Sequence, residues 1–375
     1  MEEGQKILVL DFGSQYTHLL ARRIRELGVF SKILMPDCPS KELEEASGII
    51  LSGGPASVYE NDAPKFNPKI FELGIPVLGL CYGEQLMAHV LGGKVEPGKT
   101  KEYGLAKFSI SKKNVLFEGM EKTQTVWMSH GDTVKELPTG FENAGFTGDC
   151  PNAAIFSEQK KMFGIQFHPE VTHTKNGMKI LSNFLFKVCG CKKNWKIENL
   201  AEQKLSEIKE SVGNKNVFFL ASGGVDSTVA LALFHRALGK KKVFALHVDH
   251  GFMRKNESKK IVVALKKIGF GENELKVVDA SKEFFSALKG VIEPEEKRKI
   301  MGKLFVDVAD REAKKLSWQD NWVLGQGTIY PDTIETKGTK NASHIKTHHN
   351  QAQIIKELSA KGLVVEPLKD LYKDE

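Results

Sequence analysis

A cysteine lies between two glycines where an apolar run gives way to a helix-like segment. The run ends at Leu80, and Gly79, Cys81 and Gly83 form the pattern Gly-x-Cys-x-Gly. Small residues on both sides permit a sharp strand-to-helix turn that exposes the sulfur at the strand's end. The N-terminus of the following helix favours the thiolate, which is the attacking form. The spacing predicts a nucleophile at Cys81, although a lone cysteine is also commonly a buried structural residue.

Two other segments supply the groups that such a nucleophile needs. The sequence Phe-His-Pro-Glu places His168 and Glu170 two residues apart, on one side of an extended chain. Glu170 would then orient His168 as the base for Cys81. Residues 51–55 (LSGGP) form a glycine turn after another apolar run, where backbone N–H groups can hold an oxyanion.

Together these three segments resemble the class I (triad) glutamine amidotransferases over roughly residues 5–190. The resemblance implies that Cys81 is the nucleophile, His168 the base and Glu170 its partner. The residues that it implies for the oxyanion hole and the border of a glutamine pocket are Gly54, Tyr82, Gln85, Ser129 and His130. Glu84 departs from the family pattern, and we expect it to tune the pocket without changing the chemistry.

A second glycine-containing loop follows the apolar run 217–220 and opens the next helical segment. In residues 221–228 (ASGGVDST) two glycines let the backbone approach an anion, and the hydroxyl groups donate hydrogen bonds. Asp226 is unusual in a pure anion site and makes sense if Mg²⁺ bridges it to phosphate. No lysine follows the glycines, so this is not the Walker-type loop of enzymes that cleave the γ-phosphate. A plain strand–turn–helix connection would not need serine, aspartate and serine together.

The pattern Ser-Gly-Gly-Val-Asp-Ser resembles the signature of the ATP pyrophosphatases, which cleave ATP between the α- and β-phosphates and leave an adenylylated substrate. The resemblance implies that residues 245–249 hold adenine through their backbone, and that Asp332 is a second magnesium ligand. The residues that it implies for ATP binding are Ser222, Gly223, Gly224, Val225, Asp226, Ser227, Thr228, His247, Val248 and Gly327.

With both halves in one chain, and with the segments 250–255, 296–300 and 345–350, the sequence resembles the glutamine-hydrolysing GMP synthetase family over essentially its whole length. The resemblance implies a ligase of purine biosynthesis whose substrates are glutamine, ATP and xanthosine monophosphate. The residues that it implies near the nucleotide or on a mobile lid are Arg298, Lys346, His348 and His349. Relatives continue past the equivalent of Glu375 into a dimerisation domain. We therefore expect a homodimer only when that domain is supplied, in cis or by a separate chain.

Short apolar segments alternating with helical ones predict how these motifs are positioned. The pattern favours two α/β domains, each a mainly parallel sheet with flanking helices. The first would be flavodoxin-like and the second adenine-nucleotide α-hydrolase-like, with domains at 1–194 and 195–375. Strands are predicted at 7–10, 29–34, 48–51, 75–80, 217–220, 243–248 and 275–278, with a β-rich antiparallel extension over 95–166. The polar stretch 190–216 is interpreted as a connector between the domains.

Composition and charge exclude several classes of protein but indicate no further functional site. The net charge is +7 over 375 residues, but the lysines lie in short runs beside acidic residues, so we expect no nucleic-acid partner. No apolar run is long enough to span a bilayer, and the five cysteines are too few for a disulfide framework. Cys189-Gly190-Cys191 lacks a second pair at zinc spacing. We expect a cytoplasmic protein without a membrane partner.

Two other functions fit parts of this pattern. One is a different amide synthetase built from the same two domains, which a substrate screen for AMP and pyrophosphate release would separate. The other is a regulatory protein that keeps folded but uncoupled domains. The intact set of Cys81, His168, Glu170 and Asp226 argues against the second, because a decayed site usually loses such residues first.

Overall fold

The chain divides into two folded units, Met1–Lys196 and Ile197–Glu375, each built on one β-sheet. The computed structural model describes residues 5–316, 321–335, 358 and 360–375. Within these ranges no helix is both long and apolar enough to cross a bilayer.

Nine strands form the sheet of the first unit. They are β1 (Lys6–Leu10), β2 (Phe30–Leu34), β3 (Gly48–Leu51), β4 (Val77–Leu80), β5 (Lys94–Ile110), β6 (Thr123–Glu136), β7 (Glu142–Phe146), β8 (Ala154–Ser157) and β9 (Met162–Ile165). Their order in the sheet is β2-β1-β3-β4-β9-β8-β7-β5-β6. The helices are α1 (Thr17–Glu26), α2 (Ser40–Glu44), α3 (Tyr82–Val90) and α4 (Gly177–Asn183).

The first sheet is mixed. Strands β2, β1, β3, β4 and β9 pair in parallel, whereas β9, β8, β7, β5 and β6 pair antiparallel. Every residue of β3 and β4 is buried, as expected for short apolar strands covered on both faces. The predicted antiparallel extension is therefore present, but its last strand, β9, returns to lie parallel beside β4.

The second unit is built on a wholly parallel sheet of five strands. These are β10 (Asn216–Leu220), β11 (Val243–Asp249), β12 (Leu275–Asp279), β13 (Trp322–Gly325) and β14 (Val364–Val365). Their order is β12-β11-β10-β13-β14. The helices are α5 (Ile197–Val212), α6 (Val225–Leu238), α7 (Glu257–Lys267), α8 (Ser281–Leu288), α9 (Pro294–Ala313) and α10 (Tyr330–Glu335). Two α/β domains, predicted from the alternation of elements, are confirmed.

The polar stretch after the first unit is more than a connector. Its segment Ile197–Val212 forms α5, which packs against α6. Leu200, Leu205, Ile208 and Val212 are buried along one side of this helix. Charged residues between them, such as Glu202, Lys209 and Glu210, are exposed, whereas Lys204 is buried. This high share of charged residues dilutes the apolar period in the sequence, which explains why the helix looks like a linker.

Candidate functional site

The fold brings the three motifs of the first unit to one edge of the sheet. Strands β3, β4 and β9 are parallel neighbours, so their carboxyl ends meet. Gly54 lies three residues after β3, Cys81 directly follows β4, and His168 lies three residues after β9. Ligand sites of open α/β sheets form at this edge.

Cys81 lies on a strained turn that its neighbours allow. Its backbone has φ +52° and ψ −108°, in a region that residues other than glycine rarely adopt. A Cβ atom at Gly79 would lie 2.5 Å from the Gly83 carbonyl oxygen, and one at Gly83 would lie 2.5 Å from the Leu51 carbonyl oxygen. Both glycines are therefore needed for the close approach of strand, turn and helix, and the turn presents Cys81 at the start of α3.

His168 and Glu170 form a buried pair beside this turn. Their Nδ1 and Oε1 atoms are 2.8 Å apart, and both side chains are at most 5% exposed. The second carboxylate oxygen of Glu170 is buried and has no hydrogen-bond partner among the described residues. The Tyr16 ring packs edge-on against the imidazole, with ring centres 5.3 Å apart. Packing and one hydrogen bond thus fix the orientation of the His168 ring.

The electrostatic environment favours a protonated His168. Burial alone would lower the pKa of His168, but hydrogen bonds to Cys81 and Glu170, together with their negative charges, raise it to about 10. The Cys81 Sγ atom also lies 3.5 Å from the Ser129 carbonyl oxygen. A protonated imidazole beside the sulfur is placed to stabilise the thiolate form that attacks a substrate.

The two residues implied for the oxyanion hole, Gly54 and Tyr82, lie in the segments that follow β3 and β4. Tyr82 is the first residue of α3, so the helix itself provides no acceptor for its N–H. Gly54 follows β3, and a Cβ atom there would lie 2.5 Å from the Phe12 carbonyl oxygen. Only glycine fits this close approach of the two loops.

The polar side chains expected to border a glutamine pocket are mostly bonded to the protein itself. Gln85 donates from Nε2 to the Asp132 carbonyl oxygen at 2.9 Å and to Gln166 Oε1 at 3.0 Å. The His130 ring lies 2.8 Å from the Asp132 carbonyl oxygen and 3.0 Å from Glu102 Oε2. Gln85 and His130 therefore both contact the Asp132 carbonyl oxygen, and the Ser129 carbonyl oxygen lies beside the Cys81 sulfur.

Glu84, the departure from the family pattern, lies in the core. It is fully buried, and neither carboxylate oxygen has a hydrogen-bond partner among the described residues. Burial, and to a lesser degree the charge of Cys81, raises the pKa of Glu84 well above its usual range. Its side chain lies against Gly164 of β9, where a Cβ atom would be 2.7 Å from it. Burial between α3 and the sheet thus disfavours the charged form of Glu84.

The second motif forms a loop between β10 and α6. Gly223 has φ +81°, and a Cβ atom there would lie 2.3 Å from Ile261. The Ser222 hydroxyl accepts from the Gly224 N–H at 3.3 Å, and the Ser222 N–H donates to Ser227 Oγ at 3.2 Å. These bonds fold the loop back over the N-terminus of α6, which is a favourable place for phosphate.

His247 supports this loop from behind. It is 1% exposed, with Nδ1 2.8 Å from the Ala221 carbonyl oxygen and Nε2 3.1 Å from Ser258 Oγ. Ser258 donates to Asp249 at 2.7 Å, and this bond, together with the Gly251 N–H, lowers the pKa of Asp249. The chain of contacts fixes the start of the loop to the end of β11.

A cavity of about 560 Å³ lies at the carboxyl ends of β10, β11 and β13. Of the residues implied for ATP and magnesium, those that line it are Ser222, Gly224, Asp226, Ser227, His247, Val248, Gly327 and Asp332. Gly223, Val225 and Thr228 belong to the same loop but do not line the cavity. The strand order reverses between β10 and β13, which is where open α/β sheets bind ligands.

Two features of this cavity were not predicted from the sequence. Met301 and Phe305 of α9 form part of an apolar wall. The Lys373 ammonium lies 3.6 Å from Asp226 Oδ2, which brings a cation to the mouth of the loop. No local motif marks Lys373, because its position depends on the chain returning after β14.

The nucleotide residues implied by resemblance are only partly within the described structure. Arg298 lies on α9 and pairs with Glu295 at 2.9 Å, outside the lining of the cavity. Lys346, His348 and His349 lie outside the described residues.

Comparison with known proteins matches both halves. The glutamine amidotransferase class-I family matches residues 8–188, and the NAD synthase family matches residues 197–304. A glutamine-hydrolysing GMP synthase of Aquifex aeolicus is 48% identical over all of this chain and 72% of its own length. The corresponding enzyme of Vibrio vulnificus is 48% identical over 99% of this chain and 71% of its own. A Leptospira interrogans protein is 47% identical, and this chain spans 62% of its length. The family predicted from the motifs is confirmed: the chain belongs to the glutamine-hydrolysing GMP synthases, which are ligases.

Proposed function

We propose that this chain converts xanthosine monophosphate to GMP through two sites. The first unit releases ammonia from glutamine, and the second uses ATP to activate the nucleotide that receives it. The observation that carries the proposal is the buried His168–Glu170 pair beside Cys81 on its strained turn.

In the first site Cys81 attacks the side-chain carboxamide of glutamine as a thiolate. The N–H groups of Gly54 and Tyr82 hold the oxyanion, and His168 gives its proton to the departing ammonia. Water then hydrolyses the thioester, with His168 as the base, and glutamate leaves. Glu170 keeps the imidazole oriented through Nδ1 and stabilises its charged form.

The glutamine pocket is bordered by Gln85, Ser129 and His130. Ser129 contributes a carbonyl oxygen next to the Cys81 sulfur, which suits the N–H groups of a substrate. Gln85 and His130 act through the position of the backbone that they hold.

In the second site the loop from Ser222 to Thr228 binds the phosphates of ATP, and residues 245–249 with Gly327 enclose the adenine. The carboxylates of Asp226 and Asp332 line the same cavity, which is a donor set that Mg²⁺ prefers. When bound there, Mg²⁺ neutralises phosphate charge as pyrophosphate leaves. Lys373, whose ammonium lies 3.6 Å from Asp226 Oδ2, would contact the same phosphates.

The adenylyl group goes to the 2-oxygen of xanthosine monophosphate, and ammonia displaces AMP to give GMP. Arg298 is proposed to contact the nucleotide's phosphate, and Lys346, His348 and His349 to close over the site. These four assignments rest on the family resemblance.

The test measures the two half-reactions in one preparation. Glutamate release should follow added glutamine, and AMP with pyrophosphate should appear only when ATP, Mg²⁺ and xanthosine monophosphate are all present. Formation of ADP and phosphate, or no glutamate release under any condition, would contradict the proposal.

A further inference from the structure

One stretch of β6 near Cys81 pairs irregularly with β5. The cross-strand partners are Glu102 with His130 and Pro97 with Asp132, so residues 98–101 of β5 lie opposite Gly131 alone. Such a bulge interrupts the ladder of backbone hydrogen bonds. Ser129, His130 and Asp132 keep partners on β5, but the pairing is irregular at Gly131, so side-chain contacts add to the positioning of residues 129–132.

This segment contacts the turn that carries the nucleophile. The Ser129 carbonyl oxygen lies 3.5 Å from the Cys81 sulfur. The Asp132 carbonyl oxygen accepts from Gln85 Nε2, on the second turn of α3, at 2.9 Å. A shift of the segment would therefore change the space beside Cys81 in which the proposed function binds glutamine.

The Asp132 carboxylate connects the same segment to the loop after β3. Ser57 donates to Oδ2 at 2.5 Å and Tyr59 donates to Oδ1 at 3.0 Å. Both residues follow Gly54 in the loop that supplies one of the proposed oxyanion N–H groups. Asp132 thus links two walls of the site.

His130 joins Asp132 to Glu102. The Asp132 carbonyl oxygen can only accept, so the Nδ1 atom of His130, 2.8 Å away, carries a proton. Nε2 faces the Glu102 carboxylate at 3.0 Å, and both contacts are satisfied when a second proton lies between ring and carboxylate. The ring is 3% exposed, so water provides little substitute for either bond.

The surroundings of Glu102 fix it in turn. Its other oxygen, Oε1, accepts from Thr147 Oγ1 at 2.8 Å. Cys150 lies close enough to complete a set of three metal-ligand types with Glu102 and His130, but its sulfur is 3.1 Å from Thr133 Oγ1. Each of the three ligand atoms already has a hydrogen-bond partner, so the cluster is complete without an ion.

We propose that Glu102 is a positioning residue for glutamine binding, acting through His130 to hold residues 129–132 against the nucleophile turn. The inference rests on the proposed function of the first site. Glu102 touches neither the sulfur nor its base, so its loss should weaken substrate binding while leaving the reactivity of Cys81 intact.

Three variants of the full chain test this. Glu102→Ala removes the partner of His130 Nε2 and the acceptor of the Thr147 hydroxyl. Glu102→Gln can accept from or donate to His130 Nε2 and keeps the bridge. Glu96→Ala is the control, because Glu96 lies on the same strand in an exposed ion pair with Lys94. Glutaminase KM and kcat are measured, together with the rate of Cys81 alkylation by iodoacetamide, followed by peptide mass spectrometry.

We expect Glu102→Ala to raise the KM for glutamine by about 10- to 100-fold, with kcat and the alkylation rate within about threefold of the parent. Glu102→Gln should recover most of the affinity, and Glu96→Ala should match the parent. An unchanged KM in Glu102→Ala, or a loss confined to kcat, would overturn the inference.

A misfolded variant and an inactive parent have different consequences. If Glu102→Ala does not fold, Thr147→Val removes the hydroxyl that donates to Glu102 Oε1 and accepts from the Cys150 N–H. A KM equal to the parent's would then overturn the inference. If the parent itself releases no glutamate, the proposed function fails, whatever the variants do.

Discussion

Replacing Glu170 by glutamine removes one negative charge from the first site while keeping the side chain's shape. The amide oxygen can still accept from His168 Nδ1, where the carboxylate oxygen now lies at 2.8 Å. The amide nitrogen would take the place of Oε2, which has no hydrogen-bond partner among the described residues. Glu170→Gln therefore tests the charge more than the packing.

Glu170→Gln should lower the alkaline limit of glutamine hydrolysis, which is the pH above which the activity declines. The pKa of His168 is about 10 because hydrogen bonds to Cys81 and Glu170 outweigh burial. Loss of one charged partner lowers such a pKa by about one to three units. With the limit at about pH 8 instead of 10, the protonated fraction at pH 9 falls from about nine-tenths to about one-tenth. Activity at that pH should drop roughly tenfold more than at pH 7.

The same pKa makes the free energy of unfolding depend on pH. The pKa of His168 in the folded chain is about 10, above the ordinary value of 6.5. Its charge therefore stabilises the fold fully below pH 6.5, and this contribution is lost as the pH rises from 6.5 to 10. In Glu170→Gln the loss should be complete at a lower pH.

The assay measures kcat/KM for glutamine and the thermal midpoint between pH 6 and pH 10.5. Glu158→Gln is the control, since Glu158 is an exposed residue of the same unit. An alkaline limit in Glu170→Gln that coincides with that of the parent would refute the assignment of Glu170.

Three other changes give distinct outcomes. Asp226→Asn should lower AMP and pyrophosphate formation by about 100-fold or more, because a neutral amide binds Mg²⁺ poorly, while glutamate release persists. Unchanged pyrophosphate release at saturating Mg²⁺ would show that the loop is a structural turn without a role in metal binding. Lys373→Ala should raise the KM for ATP by roughly tenfold. An unchanged KM would show that the 3.6 Å ion pair with Asp226 has no role in binding ATP. Gly83→Ala should lower the free energy of unfolding of the first unit, measured in urea, by more than about 3 kcal/mol, because its Cβ would lie 2.5 Å from the Leu51 carbonyl oxygen. Gly148→Ala is the control and should leave it unchanged, because a Cβ there meets nothing within 4 Å.

Local sequence was sufficient for the parts of the site that lie on one turn. The pattern Gly-x-Cys-x-Gly predicts a strained strand-to-helix turn, and Cys81 has the positive φ that such a turn needs. The alternation of short apolar runs and helical segments likewise predicts two α/β domains, since strands such as β3 and β4 are buried on both faces.

Long-range placement could not be predicted in this way. Strand β9 pairs with β4 although about 80 residues separate them, and only this pairing brings His168 to Cys81. The contact of Lys373 with Asp226 depends on a similar return of the chain. The inward bonding of His130 depends on a bulge in β5 that no composition or period marks.

The most direct test of two separate sites compares nitrogen donors in Cys81→Ala. GMP formation from xanthosine monophosphate and ATP is measured with glutamine and with ammonium ion, in a preparation whose parent is competent for synthesis. The account predicts that Cys81→Ala loses glutamine-dependent synthesis and keeps ammonia-dependent synthesis within about twofold, because free ammonia bypasses the first site. Equal loss with both donors would contradict it.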